Sequence, residues 1–410
     1  MNIFKTSCIT AMILSAALSC GCGKPQPPVK SPSTAAGVPA PTAATSEQQQ
    51  VRKFKAGLIY VGPVGDYGWS NAHELARLQV MKKIPWLQSI VVESVPEADS
   101  ARVIDRLILE EKCDAVFTTS FGYMDATVDA AKRYPNKLFM HCSGYKREKN
   151  LGTYFAELYE TYYLCGLMAG ALSKTGKIGY VGAHPIPEVV RHINAFAIGI
   201  REINPEAKLS VKWLFSWYDP AKAKEAAEAL VAEGCDAISF TEDSPAVIQV
   251  GEAHTNAGKP VYTFSHYSAM LKFGENSVVS GQLVDWTGMY EKTLSAMHTG
   301  TWQSEDLWWL LKEGAAVLGA DFRQTINYRH IDMLKGVTRE IEGFGAINAY
   351  DLVNKRLDQM KADPRSFDPF TGPIKDQTGA IRIPEGHVAD HDALWSMDWF
   401  VEGVEGRTSQ

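Results

Sequence analysis

The sequence predicts an α/β fold of two similar lobes, each a parallel β-sheet wrapped by helices. Two pairs of matched segments carry this prediction: Tyr60-Val61-Gly62 recurs as Tyr180-Val181-Gly182, and Cys113-Asp114-Ala115 recurs as Cys235-Asp236-Ala237. Both pairs are offset by about 120 residues. The first triplet closes an apolar strand and the second lies between a helical pattern and another apolar strand. Matched patterns in one order indicate two related α/β units.

Short apolar runs bounded by turn residues place the individual strands. The first lobe begins near residue 54, with strands expected at residues 56–61, 89–93, 115–118 and 138–141 and helices from Ser70 and at 102–111. The second begins near residue 177, with strands at 178–181, 211–215, 237–240 and 260–264 and a helix at 221–233. Segments 278–283, 290–297 and 315–318 are expected to complete both sheets. Several crossovers would then form a hinge between the lobes.

The first 22 residues have the layout of a secretory signal, with Lys5 followed by an apolar run that is too short to span a bilayer. Cys20 and Cys22 each follow small residues as in a lipidation site, so either is the candidate anchor. Residues 23–52 are rich in Pro, Ala, Ser, Thr and Gln and predict a disordered tether. The ligand-binding module is expected at 53–404, with lobe one at about 54–172, lobe two at about 173–280, and a later segment in each.

Composition and missing motifs exclude several classes of protein. The net charge is −6 with both signs interspersed, which disfavours nucleic acid as a partner. There is no phosphate-binding loop, no nucleophile elbow and no zinc-protease motif. Cys113, Cys142, Cys165 and Cys235 lack metal-ligand spacing and are expected to be buried thiols, although one disulfide stays open. No metal or cofactor is predicted.

The loops that follow the predicted strands share one chemistry, because almost every one pairs an aromatic side chain with a carboxylate or a hydroxyl. In an open parallel sheet ligands bind at the carboxyl ends of the strands, so these loops should face one cleft. Aromatic faces stack on planar rings, and carboxylates accept hydrogen bonds from ring N–H groups. The candidate ligand-binding residues are Asp66, Trp69, Ser120, Phe121, Tyr123, Trp217, Asp243, Phe264 and Trp286.

Several motifs in order are similar to those of a known family. Tyr60-Val61-Gly62-Pro63-Val64-Gly65-Asp66-Tyr67-Gly68-Trp69 resembles the first-strand signature of the basic membrane protein family, the purine-nucleoside-binding lipoproteins of ABC importers. Thr119-Ser120-Phe121-Gly122-Tyr123-Met124-Asp125 resembles its second binding loop, and segments 185–191, 194–196, 217–220 and 241–245 follow in family order. Segments 367–370 and 399–403 resemble the tail of one subgroup, so the similarity covers residues 54–404.

The resemblance implies a non-enzymatic protein with a type I periplasmic-binding-protein fold. It implies a lipid-anchored monomer on the periplasmic side of the envelope, with an ABC permease as partner and a purine nucleoside or, in the subgroup, free adenine as ligand. Trp69 and Phe121 would belong to the stacking walls, and Asp66 and Asp243 to the polar edge. Where relatives place two aspartates, this chain has Tyr267 and Ala269, which weakens the nucleoside assignment.

Three other functions compete with that of an importer's receptor for a purine. A lipid-anchored sensor for a signalling receptor would have the same sequence features. A receptor for a different planar solute would use the same aromatic loops. An α/β enzyme acting on the heterocycle would need a nucleophile, a metal site or an acid–base pair in the cleft, and the sequence shows none of these.

Overall fold

The computed structural model describes residues 27–28, 52–363 and 366–408. The strands, in chain order, are β1 (Phe54–Ile59), β2 (Leu87–Val92), β3 (Ala115–Thr118), β4 (Leu138–Cys142), β5 (Leu151–Ala156), β6 (Lys177–Gly182), β7 (Lys208–Trp213), β8 (Ala237–Phe240), β9 (Tyr262–Tyr267), β10 (Val278–Val284), β11 (Asp306–Trp309), β12 (Ala316–Leu318), β13 (Thr338–Ile341), β14 (Gly345–Asn348), β15 (Ile374–Lys375), β16 (Ile381–Ile383) and β17 (Val404–Glu405). The helices are α1 (Trp69–Lys83), α2 (Ser100–Leu109), α3 (Met124–Arg133), α4 (Tyr159–Leu172), α5 (Pro187–Ile203), α6 (Pro220–Ala232), α7 (Ala246–Asn256), α8 (Thr287–Thr299), α9 (Tyr328–Lys335), α10 (Ala349–Ala362) and α11 (His391–Trp395).

The predicted N-terminal features fall where the structure gives no description. Cys20, Cys22 and the rest of the predicted signal at residues 1–22 lie outside the described residues. So does the predicted tether at 23–52, apart from residues 27, 28 and 52. Among the residues that are described, no helix has both the length and the apolar character needed to cross a membrane.

Six parallel strands form the first sheet, in the order β2-β1-β3-β4-β5-β11, and with the helices that cover it this sheet is called lobe one. Side chains alternate between its two faces: Leu58 belongs to the same core cluster as α1, whereas Ile59 packs with α2. Strands β3 and β5 are buried along their whole length. Burial of this kind is expected for parallel strands covered by helices on both faces.

The second sheet, with its helices, is called lobe two and has the order β17-β7-β6-β8-β9-β10-β12. Only the β10–β12 pair is antiparallel. β6 lies between its parallel neighbours β7 and β8, as β1 lies between β2 and β3. This equivalence explains the internal sequence repeat and confirms the predicted α/β fold with two parallel sheets.

Three connections join the lobes, and backbone hydrogen bonds hold them side by side. The Glu157 N–H donates to the Trp309 carbonyl at 2.8 Å, and the Asp285 N–H donates to the Ala315 carbonyl at 2.9 Å. The chain enters lobe two near Glu157, because α4 packs on α5 and on the second sheet. The passage therefore comes earlier than residue 172, the boundary expected from the sequence. Three connections between two lobes are suited to a hinge.

A buried ion pair lies at the first connection. Glu157 and Arg191 of α5 are both fully buried, and their closest N–O distance is 2.7 Å. Burial opposes ionisation of Glu157, but the charge of Arg191 and the hydrogen bond from His192 outweigh it and hold the pKa at about 2. The guanidinium also lies over the rings of Phe155 and Trp395, at 5.7 and 5.1 Å. Side chains from both lobes thus converge on one cation.

The segment at 290–297 is not part of a sheet, so that expectation is wrong. It lies in α8, whose buried residues include Met289, Tyr290, Thr293, Leu294 and Met297. Spacings of three, four and one residues put these side chains on one helix face, which packs against α1.

The sixth and fifth strands of lobe one, β11 and β5, were not predicted. Cys113, Cys142, Cys165 and Cys235 are buried and free, as expected.

Candidate ligand-binding cleft

The loop after β1 places the N-terminus of α1 at the cleft between the lobes. The Asp66 carboxylate accepts hydrogen bonds from the backbone N–H groups of Gly68, Ser70 and Asn71 at 2.8, 3.0 and 3.0 Å. These N–H groups have no partner within the helix, so a carboxylate satisfies them. Burial raises the pKa of Asp66 to about 6, although the three bonds act against it. The Asp66 carboxylate therefore holds the loop in its observed conformation through these three hydrogen bonds.

A second carboxylate reaches the same helix end from lobe two. Asp243 follows β8, and its Oδ1 accepts a hydrogen bond from the Trp69 N–H at 3.0 Å. The Ser268 hydroxyl, also from lobe two, donates to the Gly68 carbonyl at 3.0 Å. Burial, and then the charge of Asp66, raise the pKa of Asp243 well above its usual value. The two lobes are in direct contact, so the structure represents a closed cleft.

The closed cleft surrounds a narrow cavity of about 20 Å³. Small-molecule sites typically hold about 300–1,000 Å³, so the two lobes must move apart to admit a ring compound. The residues lining it come from both lobes: Val61, Trp69, Thr119, Ser120, Phe121, Ser143, Glu188, Trp217, Asp243 and Tyr267.

Aromatic side chains make up much of the cavity wall. Trp69 is almost fully buried, and its indole N–H donates to the Thr119 carbonyl, which fixes the plane of the ring. Phe121 begins a short 3₁₀ helix after β3, and Trp217 follows β7; both are half-buried. A wall of this kind can stack against the faces of a planar ring.

The remaining side of the cavity is formed by a hydrogen-bonded pair in lobe two. Tyr267 is the last residue of β9, and its hydroxyl donates to Oε1 of Glu188 at 3.0 Å. Glu188 lies in the first turn of α5, where burial raises its pKa. Burial and the Glu188 charge raise the pKa of Tyr267 well above its usual value, so the phenol stays a neutral donor.

The polar lining of the cavity consists of acceptors and hydroxyls. Asp243 and Glu188 are its two acidic residues, and the lining residues include no lysine, arginine or histidine. Carboxylates here attract ligand N–H and O–H donors and repel ligands that carry a negative charge. The cavity is therefore suited to a neutral or cationic ring compound with several donors.

Backbone strain collects around this cleft. A positive φ is uncommon for residues other than glycine and is stored mainly at functional sites. Five of the six described non-glycine residues with a positive φ follow or end strands at the carboxyl edges of the two sheets, with only Lys112 elsewhere. They are Tyr67 (61°), Ser94 (53°), Ser143 (63°), Phe215 (53°) and Tyr267 (56°).

Comparison with known families decides the class of this protein. Residues 53–349 match the family described as Bmp, ABC transporter substrate-binding protein PnrA-like. The chain belongs to the Bmp family. Members of this family bind a small molecule outside the cytoplasm and deliver it to a permease. This Bmp protein is accordingly a substrate-binding protein and not an enzyme.

Two relatives of this Bmp protein differ in the ligand that their names assign to them. A purine-binding protein of Brucella abortus is 37% identical over 87% of this chain and 95% of its own length. A protein of Haloferax volcanii, provisionally named as an ABC transporter glucose-binding protein, is 40% identical over 86% of this chain and 80% of its own length. Identity at this level does not distinguish the two ligands.

A solved structure is similar to this Bmp protein in its fold. An ABC transporter solute-binding protein from Aeropyrum pernix has a TM-score of 0.65 with 14% sequence identity. The alignment covers 83% of this chain and 95% of that chain. The fold is the type I periplasmic-binding-protein fold, as the resemblance implied.

Five of the nine candidate residues line the cavity of this Bmp protein: Trp69, Ser120, Phe121, Trp217 and Asp243. Ser120 is held in place by its hydroxyl, which donates to Glu97 at 2.6 Å. The direct contact of these residues with a ligand stays a prediction.

The other four candidates are not among the residues that line the cavity, and their contact with a ligand also stays a prediction. Asp66 caps α1, as described above. The buried Tyr123 hydroxyl donates to the Val95 carbonyl at 2.6 Å. Phe264 packs edge-on against Phe196 of α5, with 5.8 Å between ring centroids. Trp286 is fully buried behind Trp69 and stacks on His73 at 4.4 Å.

Five lining residues were not among the candidate ligand contacts: Val61, Thr119, Ser143, Glu188 and Tyr267. For Tyr267 the cause is the end of one strand. β9 was expected to end at residue 264 but continues to Tyr267, so the residue that reaches the cleft is three positions later. Glu188 carried one usable signal, because an acidic residue directly after a proline often marks the start of a helix.

Proposed function

We propose that this protein is the receptor of an importer for a purine-type heterocycle, adenine or a related nucleobase or nucleoside. The observation that carries the proposal is the set of aromatic side chains from both lobes, Trp69, Phe121 and Trp217, around one small cavity. Stacking on aromatic side chains stabilises a bound base by about 1–3 kcal/mol per base. A flat ring gains most from such walls because both of its faces are covered.

The carboxylates favour the same class of ligand. Asp243 already accepts one backbone N–H, and Glu188 accepts the Tyr267 hydroxyl. Each carboxylate has a second oxygen with which it can accept from a ring N–H or an exocyclic amine. Adenine carries both kinds of donor and no negative charge at neutral pH. Nucleotides would bring phosphate charges toward two acidic groups, which disfavours them.

A sugar is the second candidate, because the Haloferax relative is named for glucose. Sugars also pack against aromatic rings, and their hydroxyls donate to carboxylates. The two candidates differ in the surface that they offer, since a sugar ring is puckered and has C–H groups on its faces. A planar ligand is favoured here by the aromatic side chains of Trp69, Phe121 and Trp217 in the lining.

Isothermal titration calorimetry with adenine, adenosine and D-glucose tests the proposal on the wild type and on Asp243→Asn. Adenine or adenosine is expected to bind the wild type. Asp243→Asn is expected to lose at least about tenfold in affinity, about 1.4 kcal/mol, because the amide puts a donor where a donor of the ligand must sit. Binding of D-glucose alone would overturn the purine assignment and leave the receptor assignment standing.

The protein is further proposed to be a monomer anchored to the envelope through lipid on Cys20 or Cys22, facing an ABC permease. The support is the sequence of residues 1–22 together with the family's place outside the cytoplasm. Palmitate labelling of the wild type, the two single alanine variants and the Cys20→Ala, Cys22→Ala double variant tests the anchor. One of the two single variants should lose the label, and so should the double variant. Equal labelling of all four proteins would refute the anchor.

A further inference from the structure

We propose that Tyr267, fixed by Glu188, is the residue that limits the size of the ligand, so that the cleft accepts a free nucleobase and rejects its nucleoside. The inference rests on the proposed function and adds a specificity-determining residue to it. It is based on the contacts that hold the Tyr267 side chain beside the space proposed to bind the base.

The backbone at Tyr267 adopts a rare turn. The Ser268 N–H donates to the His266 carbonyl at 2.7 Å, which closes a three-residue turn with Tyr267 at its centre. The φ of Tyr267 is +56°. A γ-turn with a positive φ at its central residue is rare and strained, and a bulky side chain at such a position is an outlier. Strain of this kind persists only where the surroundings fix the residue and commonly marks a functional site.

Several contacts hold the ring of Tyr267 in one place. Its hydroxyl donates to Glu188, and its edge meets the ring of Trp69 with 4.8 Å between centroids. On the other side lies the His266 ring at 3.5 Å, itself held by a 2.9 Å hydrogen bond to the Tyr162 hydroxyl. The side chain is 2% exposed. The ring therefore cannot move aside for a larger ligand without breaking several contacts.

The position of this ring bounds the cavity. Tyr267 bridges from Trp69, a proposed stacking wall, to Glu188 at the start of α5. A substituent directed toward this side of the cavity would meet the tyrosine ring. Beyond Glu188 the cavity adjoins a wider outer groove: Phe121 and Glu188 line both spaces, and the groove also includes Arg147. A nucleoside whose sugar points toward Tyr267, and not into this groove, would therefore be rejected.

Replacement by glycine is the sharpest test, because glycine adopts a positive φ without strain while removing the whole ring. Tyr267→Asn is a second variant that tolerates this backbone and keeps a small side chain. Tyr267→Phe is the matched control, since it keeps the volume and loses only the hydroxyl. Circular-dichroism melting shows whether each variant is folded, and calorimetry gives the dissociation constants for adenine and adenosine.

The ratio of the two constants is the readout. The wild type is expected to bind adenine at least about tenfold more tightly than adenosine, and Tyr267→Gly and Tyr267→Asn should shift this ratio at least tenfold toward adenosine. Tyr267→Phe should keep the ratio within about threefold of wild type. A ratio that stays the same in the glycine and asparagine variants, or a wild type that prefers adenosine, overturns the inference alone. A wild type that binds neither ligand overturns the proposed function and the inference with it.

Discussion

Asp243 of lobe two lies so close to Gly68 of lobe one that a Cβ added to Gly68 would stand 2.6 Å from the Asp243 Cα. Real Cβ atoms do not approach other backbone atoms to this distance. The absence of a side chain at residue 68 is thus a condition for the closed cleft, and Asp243 reaches the Trp69 N–H only because of it.

Gly68→Ala is therefore expected to keep the cleft from closing fully. Because a ligand that touches both lobes stabilises the closed state, its affinity should fall at least about tenfold, about 1.4 kcal/mol. Small-angle scattering with saturating ligand should show the decrease in radius of gyration for the wild type and a smaller decrease for the variant.

Gly65→Ala is the matched control for this substitution. Gly65 lies in the same loop, and a Cβ built on it meets no heavy atom within 4 Å. Its scattering change and its affinity should equal those of the wild type. A Gly68→Ala protein that closes and binds like the wild type would show that Asp243 and Gly68 are not packed as described.

Removal of either stacking ring should weaken binding. Trp69→Ala and Phe121→Ala are each expected to cost about 1–3 kcal/mol of binding free energy, or roughly 5- to 150-fold in dissociation constant. Calorimetry with adenine measures the loss. Tyr328→Ala is the control, because Tyr328 is an exposed aromatic residue that does not line the cavity. Equal affinities of all three variants would exclude a stacked ligand.

The buried Asp66 should make the stability depend on pH. Its pKa is raised from 3.8 to about 6, so between these values the folded protein holds a proton that the unfolded chain has released. The contribution of Asp66 to the free energy of unfolding is then complete below about pH 4 and is lost as the pH rises through about 6. The loss is up to about 3 kcal/mol, because each pKa unit corresponds to about 1.4 kcal/mol.

Guanidinium unfolding of the wild type and of Asp66→Asn between pH 4 and pH 7.5 isolates this effect. The asparagine side chain cannot titrate, so the wild type should lose free energy of unfolding relative to the variant as the pH rises. A difference that stays constant with pH would mean that Asp66 is charged in the folded protein at all these pH values.

The buried pair of Glu157 and Arg191 gives a prediction with the opposite sign. The pKa of Glu157 is lowered to about 2, so its contribution to stability is present above about pH 4.5 and lost as the pH falls toward 2. Arg191→Met leaves the carboxylate buried without its cation and should cost about 3–5 kcal/mol at pH 7.

The exposed pair of Arg133 and Asp105, with an N–O distance of 2.7 Å, is the comparison. Arg133→Met should change the free energy of unfolding by less than about 1 kcal/mol, because solvent screens pairs at the surface. Similar losses in the two methionine variants would indicate that burial does not strengthen the Glu157 interaction.

The sequence was informative where local pattern and topology agree. The apolar runs of β3 and β8 were placed at their observed bounds, and the loops after parallel strands had to meet at one edge. Trp69, Ser120, Phe121, Trp217 and Asp243 were found in this way.

The features that were not predicted depend on contacts between residues far apart in the sequence, which a local sequence pattern does not indicate. The end of β9 was expected three residues too early, so Phe264 was named as a candidate contact and Tyr267 was noted only as the residue that replaces an aspartate of relatives. β11 joins lobe one only after the chain has built most of lobe two, so no neighbouring pattern indicates it. The closeness of Gly68 and Asp243, 175 positions apart in the sequence, follows from closure of the lobes and not from either loop.

A crystal structure of the protein with adenine would show directly whether a purine binds between the two lobes. We expect the base in the closed cleft, with its plane stacked between Trp69 and Phe121 and with a ring N–H or the amino group within about 3.2 Å of an Asp243 carboxylate oxygen. Adenine bound elsewhere, for example in the outer groove beside Arg147, or a closed cleft that stays empty at saturating adenine, would contradict it.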